Sequence, residues 1–158
     1  MSTLIIGFLA TTLPPYHRNF RKRVRKQPRL HFLDTGLVCY LLGIRDPDQL
    51  ASHPLRGAVF ESFVVSELSK AFAHAGADTP LFYWRDARGR EIDIVIDLGD
   101  PVIPVEVKSG QTVSSQAAET LNWWCKLPDN PAHSGLIVHG GTESFDLNGM
   151  RVLPWHLA

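Results

Sequence analysis

Two hydrophobic periods divide this 158-residue chain. In "EIDIVID", Glu91 to Asp97, isoleucine returns at every second position, the mark of a strand with one buried face. "VIPVEVK", Val102 to Lys108, repeats the pattern and is joined to the first strand around "LGDP", while Leu81 to Arg85 reads as an earlier strand ahead of a "DARGR" turn. A period of 3.6 governs other stretches. One long helix is predicted from about Gly57 to Gly76. A second is predicted over "SSQAAETLNWWCKL", opened by a serine cap, with Ala117, Ala118, Leu121, Trp124 and Cys125 on its apolar side. The short apolar run in "SGLIVHGG" predicts a buried strand, and strand, helix, strand at this spacing predicts a right-handed parallel crossover.

The rest of the chain patterns less clearly. A short strand or truncated element is expected up to Thr12, then "LPPY", whose prolines exclude a regular helix or central strand. "RLHFLDTGLVCYLLGI" reads as a short strand followed by a helix capped by Asp34 or Thr35 and closed by Gly43, and "RDPDQLASHPL" as a loop-rich connector. No internal repeat or low-complexity segment is visible. The sum is an α/β fold, a mixed sheet with helices on both faces, in a domain over residues 31–158 preceded by a small basic extension over residues 1–30.

An apolar content of 44% is enough for a real core. The two cysteines, Cys39 and Cys125, have no CxxC spacing, so a reducing, cytoplasmic setting is expected. "LIIGFLA" is far shorter than the roughly 20 residues of a membrane helix and no basic residue precedes it, so neither a membrane span nor export is expected. Net charge is zero but unevenly placed. "RNFRKRVRKQPR" carries seven basic residues and no acid. Such an arm, with Arg18, Arg21, Lys22, Arg23, Arg25 and Lys26 in its centre, suits nucleic-acid phosphates, a solvated face or a protein surface.

Candidate chemistry lies in the paired strands. If the hairpin turns about Gly99 and Asp100, opposed residues sum to 199 and Ile92, Ile94 and Ile96 meet Val107, Val105 and Ile103 on one apolar face. The other face then sets Glu91 against Lys108 and Asp93 against Glu106, roughly 5 Å apart at Cβ, where like charges destabilise a sheet. Such a pair can share a proton, turn apart into water, or hold a cation; Mg²⁺ favours one or two carboxylates with water and phosphate oxygens. A third acid, Glu61, lies about 100° round the long helix from Phe60, inside an apolar stripe spanning about 20° to 120°. It needs a partner there, either the same cation or an arginine such as Arg56 or Arg85.

"ID" at Ile92–Asp93 and "EVK" at Glu106–Lys108 on adjacent strands, with an acid in a preceding helix, resemble the PD-(D/E)xK nuclease core. "LPPYHRN", "FLDTGL", "HPLRGAVFE", "FYWRD", "EIDIVID", "PVEVKSGQT" and a late "GG" are similar to the DUF4143 domain that follows an AAA+ ATPase module in many bacterial and archaeal proteins. The likeness runs from about Leu13 onward. It implies a restriction-endonuclease-like fold, with Asp93 and Glu106 as metal ligands, Glu61 as an accessory acid, the Val107 carbonyl as a further ligand, and Lys108 as base or transition-state stabiliser. The usual proline before the aspartate is Ile92 here.

On that resemblance the expected function is phosphodiester hydrolysis in DNA, ahead of RNA, with Mg²⁺ or Mn²⁺ as cofactor. A catalytically silent binding or regulatory domain of an ATPase is the alternative. No GxxxxGK[ST] occurs, so the chain alone is not expected to hydrolyse ATP. Tyr16, Phe20, Trp84 and Trp123 are candidates for base stacking or for core packing. Gln111, just beyond a strand end, is a minor site candidate. The seven histidines form no HxH or HExxH pattern and read as structural or surface residues.

Overall fold

The computed structural model describes residues 2–17 and 27–158. They fall into two compact units, one drawn from residues 2–13 and 29–79, the other from residues 14–17, 27–28 and 80–158. The division therefore follows packing, and the chain passes between the units more than once.

In the first unit a short helix α1 (Ser2–Ile6) precedes strand β1 (Ala10–Leu13), which pairs antiparallel with β2 (Arg29–Phe32). Helix α2 (Thr35–Leu41) follows, and the Asp34 carboxylate accepts the Leu37 N–H at 2.9 Å as the predicted cap. The supposed loop after it contains a further helix, α3 (Pro47–Ser52). Asp46 caps it by accepting from Gln49 N, and Pro47 stands in the first turn, where no N–H is needed. Helix α4 (Arg56–His74) buries Val59, Val64 and Val65, and its Ser66 Oγ donates to the Leu33 carbonyl at 2.7 Å.

The second unit is built on a six-stranded mixed sheet. Strands β3 (Leu81–Arg85), β4 (Glu91–Asp97) and β5 (Val102–Lys108) have the predicted boundaries. Between β3 and β4, the Asp86 carboxylate accepts the N–H groups of Arg88 and Arg90 at 2.8 and 2.9 Å. Helix α5 (Ser115–Cys125) then crosses to β6 (Leu136–His139), which lies parallel to β5 as predicted. Ser114 occupies the cap position of α5, but its side chain makes no capping bond.

Two strands close the sheet that no expectation covered: β7 (Phe145–Leu147) and β8 (Met150–Pro154), an antiparallel hairpin whose second strand runs parallel to β6. Asn148 and Gly149 form its turn with φ of 50° and 81°, the paired positive values of a tight hairpin. The spatial order is β3-β4-β5-β6-β8-β7. Ala117, Ala118, Leu121 and Trp124 of α5 pack on Ile92, Val95, Val102, Ile137 and Val152 of the sheet, and burying each large aliphatic side chain contributes about 1.5–3 kcal/mol. Among the described residues no helix is long and apolar enough to cross a membrane.

Candidate functional site

The β4–β5 ladder keeps the predicted register from Asp97–Val102 to Ile94–Val105. Beyond that point β4 departs from ideal alternation. Phe82 pairs with Val95 but Trp84 pairs with Ile92, so Asp93 and Ile94 together oppose the single residue Tyr83. This is a β-bulge, which inserts one residue, bends the strand and re-aims a side chain.

The bulge corrects the expected faces. Ile94 and Ile96 do share a face, opposite Val105 and Ile103, whereas Ile92 joins Val95 in the core packed under α5, although the two are three residues apart. Asp93 consequently does not simply confront Glu106 across the strands. Its Oδ2 accepts the Val107 main-chain N–H at 2.9 Å, a bond that the straight ladder would have given to the β4 backbone. A residue's N–H and C=O leave a strand on the same side, so the Val107 carbonyl is also directed toward β4.

Glu106 is buried, 8% exposed, and its Oε1 lies 2.6 Å from Lys108 Nζ. The two residues are two apart on β5 and so share a face. The Lys108 side chain remains 39% exposed, which leaves its ammonium access to solvent. Glu91, expected opposite Lys108, sits opposite Arg85 of β3, with 3.0 Å between Nε and Oε1. Thus Asp93 is held by a main-chain donor and Glu106 by a lysine, and each negative charge has compensation within the protein.

Glu61 belongs to the first unit. Its Oε1 is 3.6 Å from Arg29 Nη1 and 3.9 Å from His31 Nε2. Burial, followed by the Arg29 charge, lowers the His31 pKa to about 4. His31 is therefore neutral at pH 7 and its contact with Glu61 is no ion pair, which makes Arg29, the last residue of the basic run, an ionic partner of the glutamate. His31 Nδ1 and Ser62 Oγ are 3.2 Å apart.

The donor chemistry can be weighed against the expected cation. Asp93, Glu106 and the Val107 carbonyl are hard oxygen donors of the kind Mg²⁺ and Mn²⁺ take, completed by water or phosphate. They fit in kind and as a pair of acids; among the described residues no cluster of three or more His, Cys, Asp or Glu is placed to hold a metal ion. Arg18, Arg21, Lys22, Arg23, Arg25 and Lys26 lie outside the described residues, as does Phe20. Tyr16, Trp84 and Trp123 pack against the core of the second unit, and the Arg90 guanidinium stands 3.6 Å over the Trp123 ring.

A cleft of about 490 Å³ opens beyond the carboxyl ends of β5 and β6, with Gln111, His139, Gly141, Thr142, Glu143 and Phe145 among its walls. Of these, sequence reasoning marked only Gln111. The "GG" after a buried strand was the signal that could have found the others: a Cβ on Gly140 would lie 2.5 Å from the Ser109 carbonyl oxygen, and one on Gly141 2.7 Å from the His139 ring. Only glycine lets these backbones approach so closely.

Known proteins give the chain a family. Residues 56–158 match a family described as a domain of unknown function (DUF4143), and residues 1–48 match another so described (DUF8612). Over 114 residues the chain is 33% identical to uncharacterized protein Mb2031c of Mycobacterium bovis and to uncharacterized protein Rv2008c of Mycobacterium tuberculosis. The match covers 72% of this chain and 25% of each relative, so the chain spans about a quarter of their length. No solved structure matches. The acid-and-lysine strand pair and the glycine-lined cleft beyond it thus lie within the matched region, and the chain belongs to the DUF4143 family.

Proposed function

We propose that this chain is a divalent-metal-dependent nuclease-like domain of the restriction-endonuclease-like class, acting on phosphodiester bonds in DNA or RNA. One observation carries the reading: a bulge in β4 turns the Asp93 carboxylate onto the β5 main chain beside Glu106, whose buried carboxylate holds the half-exposed Lys108 ammonium. Asp93, Glu106 and the Val107 carbonyl would hold the ion. A bound Mg²⁺ or Mn²⁺ supplies Lewis acidity toward a phosphate oxygen and makes a water more acidic. Lys108 is long enough and exposed enough to swing from Glu106 to a phosphate oxygen, where its charge offsets the charge that builds as the bond breaks. No side-chain nucleophile is required. The basic arm would grip the sugar-phosphate backbone, and an AAA+ module of the kind the sequence resemblance implies would act on the same substrate.

The test is cleavage of single- and double-stranded DNA and RNA with Mg²⁺ or Mn²⁺. Glu106→Ala and Asp93→Asn should each lower the rate by a factor of about 100 or more. Cleavage that survives both substitutions, or none by the unaltered protein, would end the proposal. The placement of Lys108 on Glu106, and Glu61 beside Arg29, favour a second reading, a silent binding or regulatory domain of an ATPase. Calorimetry separates them: the nuclease reading requires Mn²⁺ binding that Asp93→Asn abolishes.

A further inference from the structure

The cleft at the carboxyl ends of β5 and β6 differs from the acid pair in chemistry and adjoins it in space. Loops leaving parallel strands at this end are where open α/β sheets bind ligands. Here hydrogen bonds tie the loops to the strand ends. His139 is 1% exposed, and Gly141 N–H donates to its Nδ1 at 3.1 Å. Nδ1 is therefore the bare nitrogen, and Nε2 carries the hydrogen donated to the Glu143 carbonyl at 2.8 Å. The Gln111 carbonyl lies 3.2 Å from the same Nδ1. The imidazole is thus hydrogen-bonded to the wall formed by residues 141–143 and packed against the Gln111 wall, and Gly140 and Gly141 let those walls approach each other.

The lining limits what can enter. Gln111 offers an amide, Thr142 a hydroxyl and Phe145 a ring that is 38% exposed; among the described residues no lysine or arginine lines the cleft, and Glu143 brings a carboxylate. A phosphate would meet repulsion there. A neutral planar group with hydrogen-bonding edges matches an aromatic face beside an amide. The cleft also has a fixed place relative to Lys108: His139 is its register partner on β6, both side chains leave the same face of the sheet, and Gly140 N–H donates to the Lys108 carbonyl at 3.1 Å.

We propose that this cleft receives an unpaired nucleobase whose adjoining phosphate lies at Lys108, with Phe145 as the stacking surface and Gln111 as the reader of the base edge. The substrate class is then single-stranded nucleic acid or a strand with a nucleotide turned out of its duplex, since a paired base cannot enter a cleft on a loop. This rests on the nuclease reading for the phosphate at Lys108, but the cleft can be tested apart from cleavage.

Fluorescence anisotropy of the full chain in chelator, with a short single strand and the same strand made abasic, isolates the base. The intact strand should bind about tenfold or more tightly than the abasic one. Phe145→Ala, and Thr142→Trp as a second variant that fills the cleft from an exposed position, should each remove that preference and leave abasic binding unchanged; circular dichroism confirms their folding. Equal binding of both strands by the unaltered protein, a preference that survives both variants, or competition by an arginine-rich peptide in place of a nucleoside would overturn the proposal. Base preference without metal-dependent cleavage would keep the cleft and sink the nuclease reading, and cleavage without base preference would do the reverse.

Discussion

His31 shows how a single buried group sets pH sensitivity. Its pKa falls from 6.5 to about 4, first because burial penalises the imidazolium and then because Arg29 repels it. Below about pH 6.5 the unfolded chain takes up a proton that the folded chain refuses, so stability is complete above that pH and falls as pH drops toward 4. Near pH 4.5 the loss should reach about 2–3 kcal/mol. Urea unfolding at pH 7 and pH 4.5 would show it, with His31→Gln narrowing the difference by that amount; an unchanged difference would assign the effect elsewhere. From the sequence, His31 was legible only as a structural or surface residue, and Glu61 was legible as a carboxylate needing a partner. That Arg29 supplies one was not, because the two are distant in sequence and only the packing of β2 with α4 brings them to 3.6 Å.

At the scale of elements, the bulge at Asp93 and Ile94 was hidden by composition. In "IDIVI" an apolar residue stands at 92, 94, 95 and 96, so regular alternation and a one-residue shift bury equally apolar side chains, and the pattern cannot choose. The β7–β8 hairpin, by contrast, was signalled by Asn148–Gly149 and passed over. Two glycines give a paired test of element packing. Gly140→Ala pushes a methyl carbon to 2.5 Å from the Ser109 carbonyl oxygen, where backbone must move, and should cost about 2 kcal/mol. Gly57→Ala, in α4 with open space around it, should stabilise by about 0.5–1 kcal/mol. Denaturation midpoints with unchanged slopes would check both signs.

For the whole molecule, charge placement matters more than net charge. The chain is neutral, yet seven of its 16 basic residues fall between Arg18 and Arg29. Replacing Arg18, Arg21, Lys22, Arg23, Arg25 and Lys26 by glutamine takes the net charge from zero to minus six, and nucleic-acid affinity should fall steeply at low salt. The slope of log affinity against log salt should flatten by about 0.9 for each duplex phosphate that the arm no longer neutralises. An unaltered slope would give the arm to a protein surface. The two compact units bear on the same question, since the acid pair and the cleft both belong to the second.

By itself the sequence determined the α/β class, the boundaries of β3, β4 and β5, the crossover through α5 and the candidate set Asp93, Glu106 and Lys108, because hydrophobic period and residue spacing are local properties that survive without a fold. Tertiary structure alone decided how those charges are compensated, where Glu61 finds Arg29, and that a cleft lies beyond Lys108. Those outcomes depend on an inserted residue in one strand, on pairing between segments far apart in the chain, and on two backbones approaching closely enough to exclude a side chain, none of which a linear pattern encodes.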